Sequence, residues 1–324
     1  MSEKRETIVE LVDVGKTFTV AVRKGWLRRE RRPVHAVDGV TLSIEPGSMV
    51  GYIGPNGAGK STTIKMLTGI LVPSSGTIRV AGLDPSRDRV TLARRLGVLF
   101  GQRTQLWWDL PLEDSFSLLH HVYRVPDDRF KENLGTFREL LALDELLPVP
   151  VRQLSLGQRM RGELAAVLLH DPAILFLDEP TIGLDPVSKE AVRSFLVELN
   201  ATRRTTVMLT THDLVDVERL CERLVIIDHG RVIEDSTVAA IKHRYGTVRT
   251  LIVDLEQPSE PLCIEGACVV RVDGPRQWLQ FRRDDLTAAA LLERVAAQAP
   301  VRDLSVEEPA IEDIVRAIYR GEAV

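Results

Sequence analysis

Residues 54–61 read GPNGAGKS, and this stretch decides the fold. It matches the pattern G-x-x-x-x-G-K-S and stands between an apolar run, Met49 to Ile53, and a helical pattern that begins near Thr62. Glycines let backbone N–H groups close around phosphate oxygens, because a Cβ would hold the chain away from them. A strand, a glycine-rich loop and a helix in this order predict a phosphate-binding loop.

Two side chains and a helix end add to this loop. Lys60 places a positive charge on the outer phosphates, and Ser61 offers a hydroxyl to Mg²⁺. The helix that follows directs the positive end of its dipole at the anion. The predicted phosphate-binding positions are Gly54, Asn56, Gly57, Ala58, Gly59, Lys60, Ser61 and Thr62.

Composition sets limits on the protein class. The chain has 324 residues, 44% hydrophobic and 27% charged, which is enough for one large domain and an appendage. A net charge of −4 gives no overall attraction to nucleic acid, so no specific nucleic-acid partner is expected. Three cysteines without C-x-x-C spacing favour a reducing, cytosolic compartment. No apolar run reaches the ~18 residues that a membrane span needs.

The pattern along the chain predicts two domains, 1–240 and a small α+β accessory or regulatory domain, 241–324. In the first, strands alternate with helices, which predicts a largely parallel sheet covered on both faces. A helical insert is expected at about 103–160. Strands are predicted at 8–14, 36–44, 49–53, 76–80, 174–177, 206–211 and 224–228, and in the second domain at 250–255, 269–272 and 278–281.

A basic stretch, Arg23–Arg32, lies between the first two predicted strands and surrounds Gly25 and Trp26. One interpretation is a solvated surface loop. The other is contact with anionic lipid head groups, where each cation near the surface contributes about 1 kcal/mol. The sequence leaves both open.

The run AILFLDE, residues 173–179, predicts a buried strand that ends in two carboxylates. A charge buried at a strand tip is costly unless it is compensated, and Mg²⁺ held through Asp178 and Ser61 would compensate it. Glu179 is then placed to orient or deprotonate a water aimed at the terminal phosphate. This is the arrangement expected of a nucleotide hydrolase.

Four further motifs make the pattern more specific. They are LSLGQ at 154–158, His212 at the end of a predicted strand, Gln102, and GLD at 183–185. Together with the phosphate loop they resemble the signature, switch histidine, Q-loop and D-loop of ATP-binding cassette (ABC) proteins, over residues 8–236. The chain resembles the nucleotide-binding subunit of an ABC transporter. This implies a P-loop NTPase cassette, with a mostly parallel sheet, an antiparallel β subdomain and a helical subdomain.

The resemblance implies ATP as substrate, Mg²⁺ as cofactor and a role for each matching residue. Glu179 resembles the catalytic base and His212 the γ-phosphate sensor, while Phe18 falls where an aromatic stacks on adenine. A core position for Phe18, and Trp26 as the stacking residue, stay open. The resemblance places Ser61, Gln102 and Asp178 around Mg²⁺. It places the signature residues Ser155, Gly157 and Gln158 at the partner's site and makes Asp185 a contact across the dimer.

Some positions depart from the family pattern. Leu156 replaces the usual glycine in the middle of the signature, and Trp107 and Trp108 follow the Q-loop. The two tryptophans are interpreted either as core of the helical insert or as a contact with a partner.

In the family, the phosphate loop and the signature of one subunit face opposite partners. The resemblance therefore implies a nucleotide-sandwich homodimer, docked near residues 102–109 on integral membrane permease subunits at the inner face of the cell membrane. Residues 307–314 resemble the C-terminal segment of ABC-2-type exporter ATPases, which implies export. An importer ATPase and a soluble ABC ATPase not coupled to transport are the alternatives.

Overall fold

The structure is a computed structural model that describes residues 6–24, 28–101 and 103–321, with residues 22–24 and 28–30 described as backbone only. The chain divides into two compact units, Met1–Ser236 and Thr237–Val324. A boundary after residue 240 would fall inside the helix Val238–Tyr245, whereas the division after Ser236 precedes that helix.

The strands are β1 (Val9–Lys24), β2 (Arg28–Ile44), β3 (Met49–Ile53), β4 (Ser75–Val80), β5 (Leu96–Phe100), β6 (Ile174–Asp178), β7 (Thr206–Thr210), β8 (Arg223–Asp228), β9 (Arg231–Thr237), β10 (Val248–Leu255), β11 (Ala267–Asp273), β12 (Arg276–Arg282) and β13 (Val301–Glu307). The helices are α1 (Lys60–Leu67), α2 (Arg89–Ala93), α3 (Leu112–Tyr123), α4 (Asp127–Leu140), α5 (Leu156–Leu168), α6 (Pro186–Arg203), α7 (Leu214–Leu220), α8 (Val238–Tyr245), α9 (Ala288–Gln298) and α10 (Ile311–Arg320).

A six-stranded sheet carries the site, in the order β5-β6-β7-β3-β8-β9. The pairs β5–β6, β6–β7, β7–β3 and β3–β8 are parallel. Strands β3 and β7 are buried along their whole length, as continuous apolar runs in a covered parallel sheet should be. The predicted α/β fold with a largely parallel sheet is confirmed. Because parallel strands end at one edge, the ends of β3, β5, β6 and β7 meet there.

The described part of the basic stretch is not a loop. The two arms of a long antiparallel hairpin, β1 and β2, extend into it as far as Lys24 and Arg28, with Val20 opposite Arg32 and Lys24 opposite Arg28. The interpretation of this stretch as a solvated surface loop is therefore wrong for the described residues. The residues 17–22, TFTVAV, favour a strand by their β-branched and aromatic side chains, and the charge density beyond them obscured this signal. Strand β4 completes this sheet, in the order β2-β1-β4.

The predicted helical insert contains α3, α4, a short 3-10 helix at Val151–Gln153 and the first part of α5. Phe116 and Phe137 are fully buried and anchor α3 and α4. Gly162 brings α5 close to the start of α3, since a Cβ there would stand 2.9 Å from a methyl group of Leu112.

The second unit has an antiparallel sheet in the order β11-β12-β10-β13. Leu251, Val253, Leu279 and Phe281 pack with Leu291 of α9 in its core. The sequence interpretation missed β9, α8 and β13. Strand β13 reads VRDLSVE and is exposed along nearly its whole length, so it carries little of the apolar alternation that marks a half-buried strand.

Candidate nucleotide-binding site

The phosphate loop connects β3 to α1 and closes tightly against β2. Gly59 has φ 107°, and a Cβ at this position would stand 2.3 Å from the carbonyl oxygen of Ala36. Only glycine tolerates both conditions. Gly59 is also the N-cap of α1 and supplies no side chain to cap the helix. The first N–H groups of α1 are therefore available to an anion.

Lys60 is 8% exposed, and the loop itself holds its ammonium group. Its Nζ donates to the carbonyl oxygens of Gly54 (2.5 Å) and Pro55 (3.2 Å). Burial lowers the pKa of this ammonium, and the carboxylates of Glu179 and Asp178 oppose that effect. A cation that is partly desolvated and held close to the loop N–H groups is suited to bind phosphate oxygens.

Ser61 and Asp178 meet at the end of β6. The Ser61 hydroxyl donates to Oδ2 of Asp178 (3.2 Å), and the Thr210 hydroxyl donates to Oδ1 (2.5 Å). A hydroxyl and a carboxylate are the hard oxygen ligands that Mg²⁺ prefers, with phosphate oxygens as further ligands. Within the described part of the chain there is no group of three or more His, Cys, Asp and Glu arranged to hold a metal by itself. The Ser61 hydroxyl and the Asp178 carboxylate therefore fit a magnesium ion that also binds phosphate oxygens.

Glu179 follows Asp178 in a left-handed conformation, with φ 57°. The backbone N–H of His212 donates to its Oε2 (3.2 Å). Its Oε1 is buried and accepts no hydrogen bond from the described residues, although Nε2 of His212 lies 3.1 Å away. Burial raises the pKa of this carboxyl, while the nearby His212 and Lys60 oppose the increase. A buried carboxylate oxygen that accepts no hydrogen bond from the described residues is suited to bind a water molecule.

These residues surround a cleft of about 800 Å³. Phe18 lines it as a half-buried side chain, which favours a ligand contact over a core position, and Lys16 Nζ lies 5.3 Å from its ring centroid. The other predicted residues that line the cleft are Asn56, Gly57, Gly59, Lys60, Ser61, Thr62, Asp178, Glu179 and His212. Sequence reasoning missed Ala36, Lys65, Ile70, Leu71, Phe100, Gly101, Arg103 and Ile182.

Several predicted residues lie elsewhere. Gly54 and Ala58 are buried under the loop, where their carbonyl oxygens accept from Lys60 Nζ and from the N–H of Gly230. Gln102 and Trp26 lie outside the described residues. Lys65 lies one helical turn beyond Ser61 on α1, and this spacing of four residues could have indicated it from the sequence.

The signature residues are not among those that line the cleft in the described chain. Ser155 is the N-cap of α5 and forms a reciprocal capping box with Gln158, in which each side chain accepts from the other residue's N–H (3.2 and 2.8 Å). Leu156 is 37% exposed and lies against Gly183. Ser155 therefore occupies an exposed helix N-terminus with a fixed geometry.

Asp185 lies beside this helix end as the N-cap of α6. Its Oδ1 accepts from the N–H groups of Val187 and Ser188, both at 3.0 Å. The Ser188 hydroxyl donates to its Oδ2 (2.6 Å) and is the main cause of a lowered pKa at Asp185. A Cβ at Gly157 would stand 2.3 Å from that same hydroxyl oxygen, so the N-termini of α5 and α6 are in close contact.

Comparison with known proteins agrees with this geometry. Residues 37–182 match the ABC transporter family model. The chain is 32% identical over 307 residues to the daunorubicin/doxorubicin resistance ATP-binding protein DrrA of Streptomyces peucetius, a match that covers 93% of this chain and 92% of that protein. The chain belongs to the ABC transporter family. It is an ABC ATPase, and the predicted ABC cassette fold is confirmed.

Other relatives include exporter and importer subunits. The Nod factor export ATP-binding protein I of Ralstonia nicotianae is 35% identical, covering 68% of this chain and 67% of that protein. The methionine import ATP-binding protein MetN of Latilactobacillus sakei is 34% identical, covering 72% and 66%. A dimeric ATP-binding cassette solved with ADP and Pi has a TM-score of 0.61 and 26% identity, covering 71% of this chain and 98% of its own.

Proposed function

We propose that this ABC ATPase powers export, as a homodimer that closes on two ATP molecules and docks on separate membrane subunits. The main support for export is the extent of the match to DrrA. It includes 307 residues and 93% of the chain, and therefore reaches well into the second unit. The match to the importer subunit MetN covers 72%. The exporter interpretation thus accounts for more of this chain than the importer alternative.

The cleft supports a binding mode for ATP. Phe18 lines the cleft and offers a π face to the adenine ring. The loop N–H groups, the end of α1 and Lys60 bind the phosphate groups. Ser61 and Asp178 would hold Mg²⁺, which supplies positive charge to the phosphate oxygens when it is bound.

Hydrolysis needs a water molecule placed in line with the terminal phosphate. Glu179 is suited to accept a proton from that water, because its Oε1 is buried and without a hydrogen bond from the described residues. His212 lies 3.1 Å from this oxygen and positions the carboxylate through its backbone N–H as well. His212 also lines the cleft, so its ring can contact the γ-phosphate.

Dimerisation follows from where the signature lies. Ser155, Gly157 and Gln158 are apart from the cleft of their own chain and present a helix N-terminus at the surface. A helix N-terminus binds anions through its free N–H groups and its dipole. A second copy that brings this end to the γ-phosphate would complete the site, with Asp185 at the same seam. The solved dimeric cassette bound to ADP and Pi supports this arrangement.

The membrane partner supplies the transport path in this proposal. Among the described residues, no helix combines the length and the apolar character that a bilayer span requires. Trp107 and Trp108 are 40% and 49% exposed, which favours a partner contact over the core of the helical insert. Such a complex would place the chain on the inner face of the membrane. Residues 241–324 were predicted as an accessory or regulatory domain, and they belong to the second unit.

Anionic lipid contact through Arg23–Arg32 stays a prediction. The structure describes the side chains of Arg31 and Arg32, and both are exposed on β2. The described residues of this stretch form paired strands and not the solvated surface loop of one sequence interpretation. Lipid binding at this hairpin would help to hold the subunit against the membrane.

The central experiment compares two variants of the full chain. Glu179→Gln should retain ATP binding, lose hydrolysis and form an ATP-dependent dimer, whereas Lys60→Ala should lose ATP binding itself. Unchanged hydrolysis in Glu179→Gln would refute the assigned base. Direction is tested with inverted vesicles that contain the chain and its copurified membrane subunits, with doxorubicin as the first probe: ATP-driven uptake into the vesicles supports export, and ATP-driven loss of preloaded methionine supports import.

A further inference from the structure

Glu163 is a buried carboxylate that the ATP-binding cleft does not use. It lies on α5, two turns beyond Leu156, and is 5% exposed. The Thr104 hydroxyl donates to its Oε1, and the backbone N–H of Gln105 donates to its Oε2 (3.3 Å). Burial raises the pKa of this carboxyl against the effect of both hydrogen bonds. A carboxyl group that is buried and held by hydrogen bonds from a distant segment calls for a role.

The segment that holds Glu163 begins at the cleft. Gly101 lines the cleft, and its N–H donates to the carbonyl oxygen of Asp178 (2.8 Å). Two residues later, the N–H of Arg103 donates to the carbonyl oxygen of Phe100 (2.9 Å). Thr104 follows immediately. Three positions along the chain therefore separate Gly101, which donates to the end of β6, from the hydroxyl that holds Glu163.

The same segment contacts α5 at further points. The Arg159 guanidinium lies 5.5 Å from the ring centroid of Trp108. Arg152, just before α5, pairs with Asp109 at 2.9 Å. Because α5 is one continuous helix from Leu156 to Leu168, it moves as a unit, and a shift at Glu163 also moves its N-terminus.

We propose that Glu163 is a positioning residue that ties residues 103–109 to α5, so that the strand end bearing Asp178 and Glu179 sets the position of Ser155. This inference rests on the proposed function, in which Ser155 completes the site of a second copy. Glu163 does not touch the nucleotide in the bound chain. Its loss leaves ATP binding to one chain intact and weakens the closure of two chains.

The surroundings of Glu163 allow this to be tested by truncation. A cavity of about 200 Å³ borders the side chain and is lined by Thr104, Arg159 and Trp108, among others. A polar cavity of this size accommodates water that can satisfy donors left without a partner. We therefore expect Glu163→Ala to fold, with its thermal transition as the check.

The experiment uses the full-length Glu179→Gln chain as the parent. For each variant, ATP affinity is measured below the dimerisation concentration, and the dimer dissociation constant is measured by sedimentation at saturating Mg²⁺-ATP. Glu163→Ala should raise the dimer constant about tenfold, within the usual range of coupling effects, and leave ATP affinity within about twofold. Glu163→Gln keeps an oxygen for Thr104 and should recover most of the loss. Thr104→Val should reproduce it.

Glu145→Ala is the matched control, since it removes an exposed carboxylate from the same helical region and should change neither constant. Equal dimer constants for Glu163→Ala and its parent overturn the inference, as does a parallel loss of ATP affinity, which a folding defect produces. If Glu163→Ala fails to fold, Thr104→Val takes its place, and a dimer constant equal to that of the parent then overturns the inference. A parent that stays monomeric with ATP refutes the proposed dimer instead, and this outcome is visible without any Glu163 variant.

Discussion

Nε2 of His212 lies 3.1 Å from Oε1 of Glu179, while the backbone N–H of His212 donates to Oε2 of the same carboxylate. One residue therefore contacts both oxygens of the proposed catalytic base. Since β7 runs beside β6 in the sheet, the loop after β7 is the element best placed to do this. A protonated His212 ring lowers the pKa of Glu179, against the increase that burial causes.

This contact predicts the pH dependence of hydrolysis. Burial raises the Glu179 pKa above its ordinary 4.5, so the acid limb of kcat should lie above pH 4.5. Because the His212 charge lowers that pKa, His212→Gln should move the limb to higher pH, with the greatest loss of kcat at acidic pH. ATPase assays between about pH 5 and pH 9 measure both. His229→Asn, at a 95% exposed ring, is the control, and an unshifted limb in His212→Gln contradicts the coupling.

Phe18 is predicted to contribute to nucleotide affinity by stacking. Phe18→Ala should weaken ATP and ADP binding about tenfold, because base stacking on an aromatic contributes ~1–3 kcal/mol. Phe18→Tyr should bind as the parent does. Val34→Ala, which changes the 47% exposed cross-strand neighbour of Phe18, should leave affinity unchanged. Equal dissociation constants for Phe18→Ala and the parent in calorimetry would show that another group holds the adenine.

The contact between the ends of α5 and α6 predicts a defect confined to assembly. Gly157→Ala brings a Cβ to 2.3 Å from the Ser188 hydroxyl oxygen, so the Ser188 side chain or α5 must shift, at a cost of ~1–3 kcal/mol. ATP-driven dimerisation of the Glu179→Gln chain should weaken, whereas ATP binding should not. Adding Ser188→Gly, which removes the obstructing side chain, should restore much of the dimer in sedimentation. Gly135→Ala on α4 has open space and serves as the control.

Asp216 is predicted to be important for stability. It is fully buried, pairs with Arg193 and accepts a hydrogen bond from Thr181, which follows Glu179 by two residues. Asp216→Asn should lower the free energy of unfolding by ~3 kcal/mol in urea titrations, since it leaves the Arg193 charge without its closest partner. Asp144→Asn, in an exposed pair with Arg138, should cost under ~1 kcal/mol. Similar losses in both variants would contradict the assigned network.

The phosphate loop and the strand ending in Asp178 were predictable because local sequence determines them. GPNGAGKS needs glycine at fixed positions, and AILFLDE changes from apolar to acidic at one residue. The parallel sheet then places Ser61 and Asp178 together, 117 positions apart. The sequence alone supplied both residues, and the need to compensate a buried charge at the end of the strand predicted that they share Mg²⁺.

Other features depend on long-range packing that leaves no local pattern. The partners of Glu163 and Asp216 come from distant segments, so nothing near either residue indicates a buried carboxylate. The outer part of the β1–β2 hairpin was missed because its charges resemble those of a solvated loop. Val20 and Val34 there are 45% and 47% exposed, and the two strands pair through their backbones. Strand β13 lies at a sheet edge and is exposed along nearly its whole length, so it also lacks a clear apolar alternation.

The capping box at Ser155 and Gln158 is complete within a single chain. In the proposed dimer, the helix end that would meet a second copy is thus already capped within its own chain, so association would not have to order it. The entropy lost on closure would then be mainly the translational and rotational entropy of the two chains. Among related assemblies of this kind, differences in affinity should then appear in the dissociation rate rather than in the association rate.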